Sequence, residues 1–280
     1  MKKRYLIILL TVFILAIGSM PVFASTSPDE KVIFNVQEIQ DWNDLEQRMD
    51  NGVTDDSSVK VDGTISDEIY TDDKGRQFKA IVSDKKITSQ KVKTVKTKEG
   101  KIVNSYVANA IVETRLDPLN VGGNLMAISG SDNDIDYNYY TLGTAYVTLY
   151  YQVELNVSFE GMTVNMFKPT SVKGKVVRAD SQIVFDNIRV KILGNGDYYS
   201  DSFAQNYVGY GTKTDSVYSS TVSVGSYYTK TASNTKYWWP IYAGAYSDTL
   251  EGSTTSQMHR GGTYWDLDAR VTFDDTNPAP

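Results

Sequence analysis

The chain has 280 residues, 34 acidic and 28 basic side chains, one histidine and no cysteine. The missing cysteine excludes disulfides, thiolate metal sites, a thiol nucleophile and cysteine-linked lipid, so stability has to come from a packed core. A single histidine excludes a histidine-rich zinc centre, and the acidic balance argues against nucleic acid as a partner of the whole surface.

Lys2, Lys3 and Arg4 precede an apolar run from Tyr5 to Ile17, which Gly18 and Pro21 interrupt before Val22-Phe23-Ala24. This layout predicts a secretory signal peptide over residues 1–24, because the run is shorter than the ~20 residues a spanning helix needs. Its removal leaves 256 residues at a formal charge of −9, expected in the extracellular space. That length suits one large all-β domain or two modest ones.

Residues 25–58 read as an acidic N-terminal helix and linker. Val36, Ile39, Trp42, Leu45 and Met49 recur at spacings of three and four, and Asn51-Gly52 follows as a helix stop. Charge then reverses: Asp29 to Asp73 holds fourteen acids and three bases, Lys74 to Lys101 ten bases and two acids. Blocks of opposite sign can face each other within one fold.

Residues 59–128 read as a lysine-rich β-hairpin region, either continuous with the main sheet or separate from it. Ile87 to Thr97 and Ile102 to Leu116 flank the polar turn Lys98-Glu99-Gly100-Lys101. Lys91, Lys93, Lys96 and Lys98 either guard a sheet edge or form an anionic-surface site for cell-wall polymer or lipid headgroups.

Residues 129–280 read as the main domain. Asp132, Asp134 and Asp136 alternate in a loop and could supply oxygen ligands to Ca²⁺, although Tyr137 and Gly143 stand where an EF-hand needs glycine and glutamate. From Ala145 to Phe159 every second residue is apolar, the pattern of an antiparallel strand with one dry and one wet face. Its length requires a bend or a bulge, and Leu149, Val153, Leu155 and Val157 are expected in the core. The parity switch at Asp186-Asn187 calls for a bulge or tight turn. Trp265, Leu267, Ala269, Val271 and Phe273 form a second alternating strand.

No residue pattern fixes a chemistry. His259 has no serine in a nucleophile-elbow context, and Asp266 and Asp268 read as surface charge beside Arg270. Tyr237, Trp238, Trp239 and Tyr242 concentrate aromatic surface that either packs in the core or stacks on a sugar. The expected fold is an all-β antiparallel sandwich with a short N-terminal helix. The expected function is non-enzymatic interaction with extracellular or cell-surface material, with cell-wall polymer, glycan or a membrane surface as partners. A pore-forming β protein and a carboxylate-dependent hydrolase are the alternatives, and no cofactor beyond Ca²⁺ is expected.

Overall fold

A computed structural model of the chain describes residues 30–119, 141–159, 162–201, 206–241 and 249–273. The protein is all-β with antiparallel sheets. The elements in order are β1 (Lys31–Asn35), α1 (Trp42–Asp50), β2 (Val59–Ile65), β3 (Ile69–Thr71), β4 (Gln77–Lys96), β5 (Ile102–Pro118), β6 (Thr141–Phe159) and β7 (Met162–Arg178). There follow β8 (Val184–Phe185), β9 (Ile188–Tyr199), β10 (Tyr207–Ser219), β11 (Tyr228–Thr231), β12 (Trp239–Ile241), β13 (Thr249–Arg260) and β14 (Thr263–Phe273).

An eight-stranded sheet runs β1-β4-β5-β6-β7-β11, with β3 beside β4 and β12 beside β7. A six-stranded sheet runs β10-β9-β13-β14-β2, with β8 beside β13. The lysine-rich hairpin belongs to the first sheet, because β5 pairs with β6 from Val103 opposite Glu154 to Arg115 opposite Thr141. Strand β2 joins the second sheet through β14, with Val61 opposite Val271.

One apolar cluster unites the sheets. Ala108, Ala110, Val147, Leu149 and Phe167 of the first meet Val190, Ile192, Leu267, Ala269 and Val271 of the second. Their approach is close at Gly174 of β7, where an added Cβ would lie 2.0 Å from Thr254 Oγ1 of β13. At one corner backbone bonding passes between the sheets, since Tyr199 at the end of β9 exchanges two 2.9 Å hydrogen bonds with Trp238.

The parity switch behaves as the sequence requires. Phe185 and Ile188 are both buried because the chain breaks at Asp186-Asn187, where Gln257 N–H donates to Asn187 Oδ1. The long strand bulges twice against β7, between Tyr150 and Tyr151 and between Glu154 and Val157. The second bulge contains Asn156 at φ +58° and corrects one expectation. Leu149, Val153 and Val157 are buried, whereas Leu155 is 44% exposed. Glu154 is buried instead and pairs with Lys101 Nζ at 2.7 Å.

The wet face of β6 does not face water. Segment 36–58 crosses it, and within that segment the helix is shorter than the apolar spacing suggests. Asp41 caps α1 by accepting from the Asn43 and Asp44 N–H groups, which leaves Val36 and Ile39 outside the helix. Its other end closes on Gly52 at φ +63°, with Val53 N–H donating to Arg48 O and Gly52 N–H to Met49 O. Leu45 and Met49 are buried. Beneath them Arg48 donates to Thr88 Oγ1 and Ser89 O, Thr88 donates to Val53 O, and Thr148 donates to Asn109 Oδ1. The oppositely charged blocks meet here and beside it, through Lys86–Asp50 at 2.8 Å, Lys79–Asp67 at 2.9 Å and Lys85–Asp62 at 3.6 Å.

The bulge separates two leucines that the sequence pattern treats alike. Leu149→Ala should lower stability by about 2–5 kcal/mol, while Leu155→Ala should stay within about 0.5 kcal/mol of wild type. Urea midpoints of the two variants test this, and equal losses would contradict the burial difference.

Candidate functional site

The polar cover over β5, β6 and β7 leaves a gap. Between the segment that leads into α1 and the sheet lies a pocket of about 260 Å³. Glu38 and Trp42 form its roof, Asn109, Thr148 and Tyr150 its floor, and Lys173, Lys175 and Tyr227 its wall. Alternation along two strands sets this up: Thr148 and Tyr150 lie on the face opposite the buried Val147 and Leu149, and Lys173 and Lys175 opposite Val172 and Val176.

The polar groups form a short chain. Tyr150 OH donates to Glu38 Oε1 at 2.8 Å, and Lys173 Nζ donates to the same phenol oxygen at 2.6 Å. Glu38 Oε2 is buried and has no hydrogen-bond partner among the described residues. Burial raises the Glu38 pKa above the usual carboxylate value, against the opposing pull of the Tyr150 hydrogen bond and the Lys173 charge. Burial likewise pushes up the Tyr150 phenol, with the Glu38 charge adding to it, so the phenol stays protonated.

The aromatic part surrounds a cation. Lys175 Nζ lies 4.9 Å from the Trp42 ring centroid, 4.5 Å from Tyr146 and 4.7 Å from Tyr227. Trp42 meets Tyr146 edge-on at 4.8 Å, and its indole N–H donates to Tyr227 OH at 2.9 Å. Burial lowers the Lys175 pKa. It raises that of Tyr227 to about 12, the Trp42 hydrogen bond opposing. The pocket therefore offers ring faces, an amide, an unsatisfied carboxylate oxygen and two ammonium groups within one small volume.

Those residues singled out from sequence that the structure describes lie elsewhere. Trp238 and Trp239 are both buried, pointing to opposite sides of the chain. Trp239 joins the shared core, while Trp238 packs with Val95, Val103 and Met166 and under Lys168. Tyr237 is half-buried against Tyr198, and Tyr242 lies outside the described residues. Asp132, Asp134 and Asp136 also lie outside them. Among the described residues no group of three or more histidine and carboxylate side chains could hold a metal ion.

The lysine row does not make one surface. Lys93 and Lys96 stand opposite Ser105 and Ile102, three residues apart on β5 and hence on opposite faces, while Lys91 lies over the Phe34 ring. Lys98 is exposed in the turn. Strand β1 pairs with this part of β4, so β1 forms the sheet edge there. His259 Nδ1 lies 2.8 Å from Asp186 Oδ2 and its ring is near Tyr264. Asp268 accepts from Arg270 Nε at 2.8 Å, and Asp266 from Gln257.

One strongly perturbed carboxylate has a structural role. Asp215 on β10 is buried and accepts from the backbone N–H groups of Ser233, Asn234 and Thr235 and from the Ser233 and Thr235 hydroxyls. It thereby fixes the connection between β11 and β12. No family model, curated protein or solved structure matches the chain.

Burial alone pushes the Asp215 pKa up, but the Ser233 and Thr235 hydrogen bonds outweigh it and hold the group at about 2. A depressed carboxylate pKa contributes stability that is complete above the unfolded-state value near 4 and vanishes as pH falls through about 2. Asp215→Asn should therefore lose about 2 kcal/mol less than wild type between pH 4.5 and pH 2. Urea unfolding of both proteins at the two pH values checks this, and parallel losses would deny Asp215 its share.

Proposed function

We propose that the chain is a secreted, non-enzymatic β-sandwich protein that binds glycan of extracellular or cell-surface material, and that the sugar enters the pocket roofed by Glu38 and Trp42. The observation that carries this reading is the pocket's mixture of groups. Sugars present apolar C–H faces and a rim of hydroxyls, and they are held by aromatic rings together with hydrogen-bonding side chains fixed in position. Trp42 and Tyr227 supply ring surface beside Asn109, Tyr150 and Lys173. Glu38 Oε2 is an acceptor that a ligand hydroxyl would satisfy, removing the cost of a buried polar atom without a partner.

The N-terminal signal pattern supports an extracellular setting for such a ligand. The sandwich reading draws support from the shared core, in which Ala145, Val147, Leu149 and Val153 of β6 and Trp265, Leu267, Ala269 and Val271 of β14 are covered. That cover also favours a binding protein over a membrane-active one, whose apolar strand faces would have to reach lipid.

The test is titration of the mature chain with a panel of soluble oligosaccharides, read by tryptophan fluorescence and calorimetry. At least one class should bind, and Trp42→Ala should weaken it tenfold or more, about 1.4 kcal/mol. Tyr227→Phe, which keeps the ring and loses the hydroxyl, guards against a folding defect and should bind with intermediate affinity. Absence of binding to every sugar, or a Trp42→Ala variant that binds like wild type, would defeat the reading.

A further inference from the structure

We infer that the glycan taken by this pocket is an acidic one, whose carboxylate, sulfate or phosphate group is received by Lys173 and Lys175. This rests on the pocket being a glycan site and names the class of sugar it takes.

Carboxylates are in surplus, and some lysines, Lys79, Lys86, Lys101 and Lys191 among them, have one within 3 Å. Lys173 and Lys175 do not: among the described residues neither forms an ion pair. Lys173 Nζ is bonded to the neutral Tyr150 hydroxyl. Lys175 Nζ has ring faces at 4.5 to 4.9 Å on three sides. Ring quadrupoles attract a cation without neutralising it.

Charge in the pocket is therefore out of balance. Glu38 is the carboxylate among the pocket's lining residues, and its Oε1 is engaged by Tyr150 rather than by either ammonium. Among the lining residues two ammonium groups stand against one carboxylate, in a chain whose formal charge is −6. Burying a charge without its counter-ion is costly, and the lowered pKa of Lys175 reflects that cost. An anionic group beside Lys173 and Lys175 would supply the missing counter-charge where water screens it poorly. The hydroxyls of the same sugar unit would remain free to reach Glu38 Oε2 and Asn109.

The positions of the lysines add specificity. They occupy alternate places on β7, which aims both ammonium groups at one face about two strand residues apart, roughly 7 Å. That spacing suits one anion shared between two flexible side chains better than two separate anions. The rings around Lys175 restrict it to one side of the pocket, so an incoming acid group meets a cation already held in place.

The experiment compares matched pairs of sugars on the mature wild-type protein by calorimetry. Uronate oligosaccharides are set against their carboxyl-reduced counterparts, and sulfated or phosphorylated oligosaccharides against the same chains stripped of those esters. The acidic member of at least one pair should bind tenfold or more tighter, with the preference shrinking as salt rises. Lys173→Gln and Lys175→Gln should each lower that preference, bringing the acidic member's affinity toward that of the neutral one. Equal binding of acidic and neutral members would overturn the inference and leave the glycan reading standing. Binding of neither member of any pair would remove both. If the lysine variants kept the full preference, the anion would sit elsewhere and the inference would fail, and the wild-type comparison is independent of whether a variant folds.

Discussion

The polar face of β4, β5 and β6 has to find hydrogen-bond partners once it is covered, and the rest of the architecture follows from how it does so. Buried hydroxyls and amides without partners are costly, so a polar sheet face can be roofed only by a segment that brings matching groups. Segment 36–58 does this with Arg48 on Thr88 Oγ1 and with the Gln90 amide bonded to Ile39 N–H and Gln37 O, and it runs on along β4, where Thr54 Oγ1 lies within 2.5 Å of Ser89 Oγ. Asp55 Oδ2 meanwhile accepts from the Lys91 N–H. Thr148 and Asn109 satisfy each other. Where the matching stops, at Glu38, Lys173 and Lys175, a pocket remains. The roof and the site are thus one feature, and Glu38 Oε2 is left unsatisfied where the cover is incomplete.

Much of the sheet framework is legible in the sequence because a period of two is hard to mimic. The alternating run of β6, the parity switch at Asp186-Asn187 and the strand from Trp265 to Phe273 all appear where the apolar pattern puts them. Leu155 shows the limit of that logic. Alternation predicts a side only while the register is continuous, and the bulge ending at Val157 transfers burial from Leu155 to Glu154. The signal that could have flagged it is Asn156, a residue type that tolerates positive φ, set between two strand formers.

The pocket was not legible, for a different reason. Its groups come from five stretches, around residues 38–42, 109, 146–150, 173–175 and 227, which only the sheet order and the crossing segment bring together. Within each stretch they look ordinary: two tyrosines on a wet strand face, two lysines at alternate positions, an acidic residue before a helix. The aromatic cluster that does stand out in the sequence, Tyr237-Trp238-Trp239, is taken up by packing. Adjacent tryptophans on a strand point to opposite faces, and here each face has an apolar neighbourhood to fill.

The division of the pocket between roof and sheet has an energetic consequence. A ligand touching Trp42 and Glu38 on one side and Lys173 and Lys175 on the other makes its full set of contacts only when the segment is docked. It then binds the docked form in preference to any form with the segment detached, and linkage adds RT ln(1 + [L]/Kd) to the stability of docking. The segment is held largely by polar contacts and by the two buried side chains Leu45 and Met49, a modest apolar anchor beside the core between the sheets. Ligand occupancy therefore weighs more heavily on this segment than on the sheets. The groups left unsatisfied at the pocket are also those whose pairing would fasten the roof to the strands beneath it.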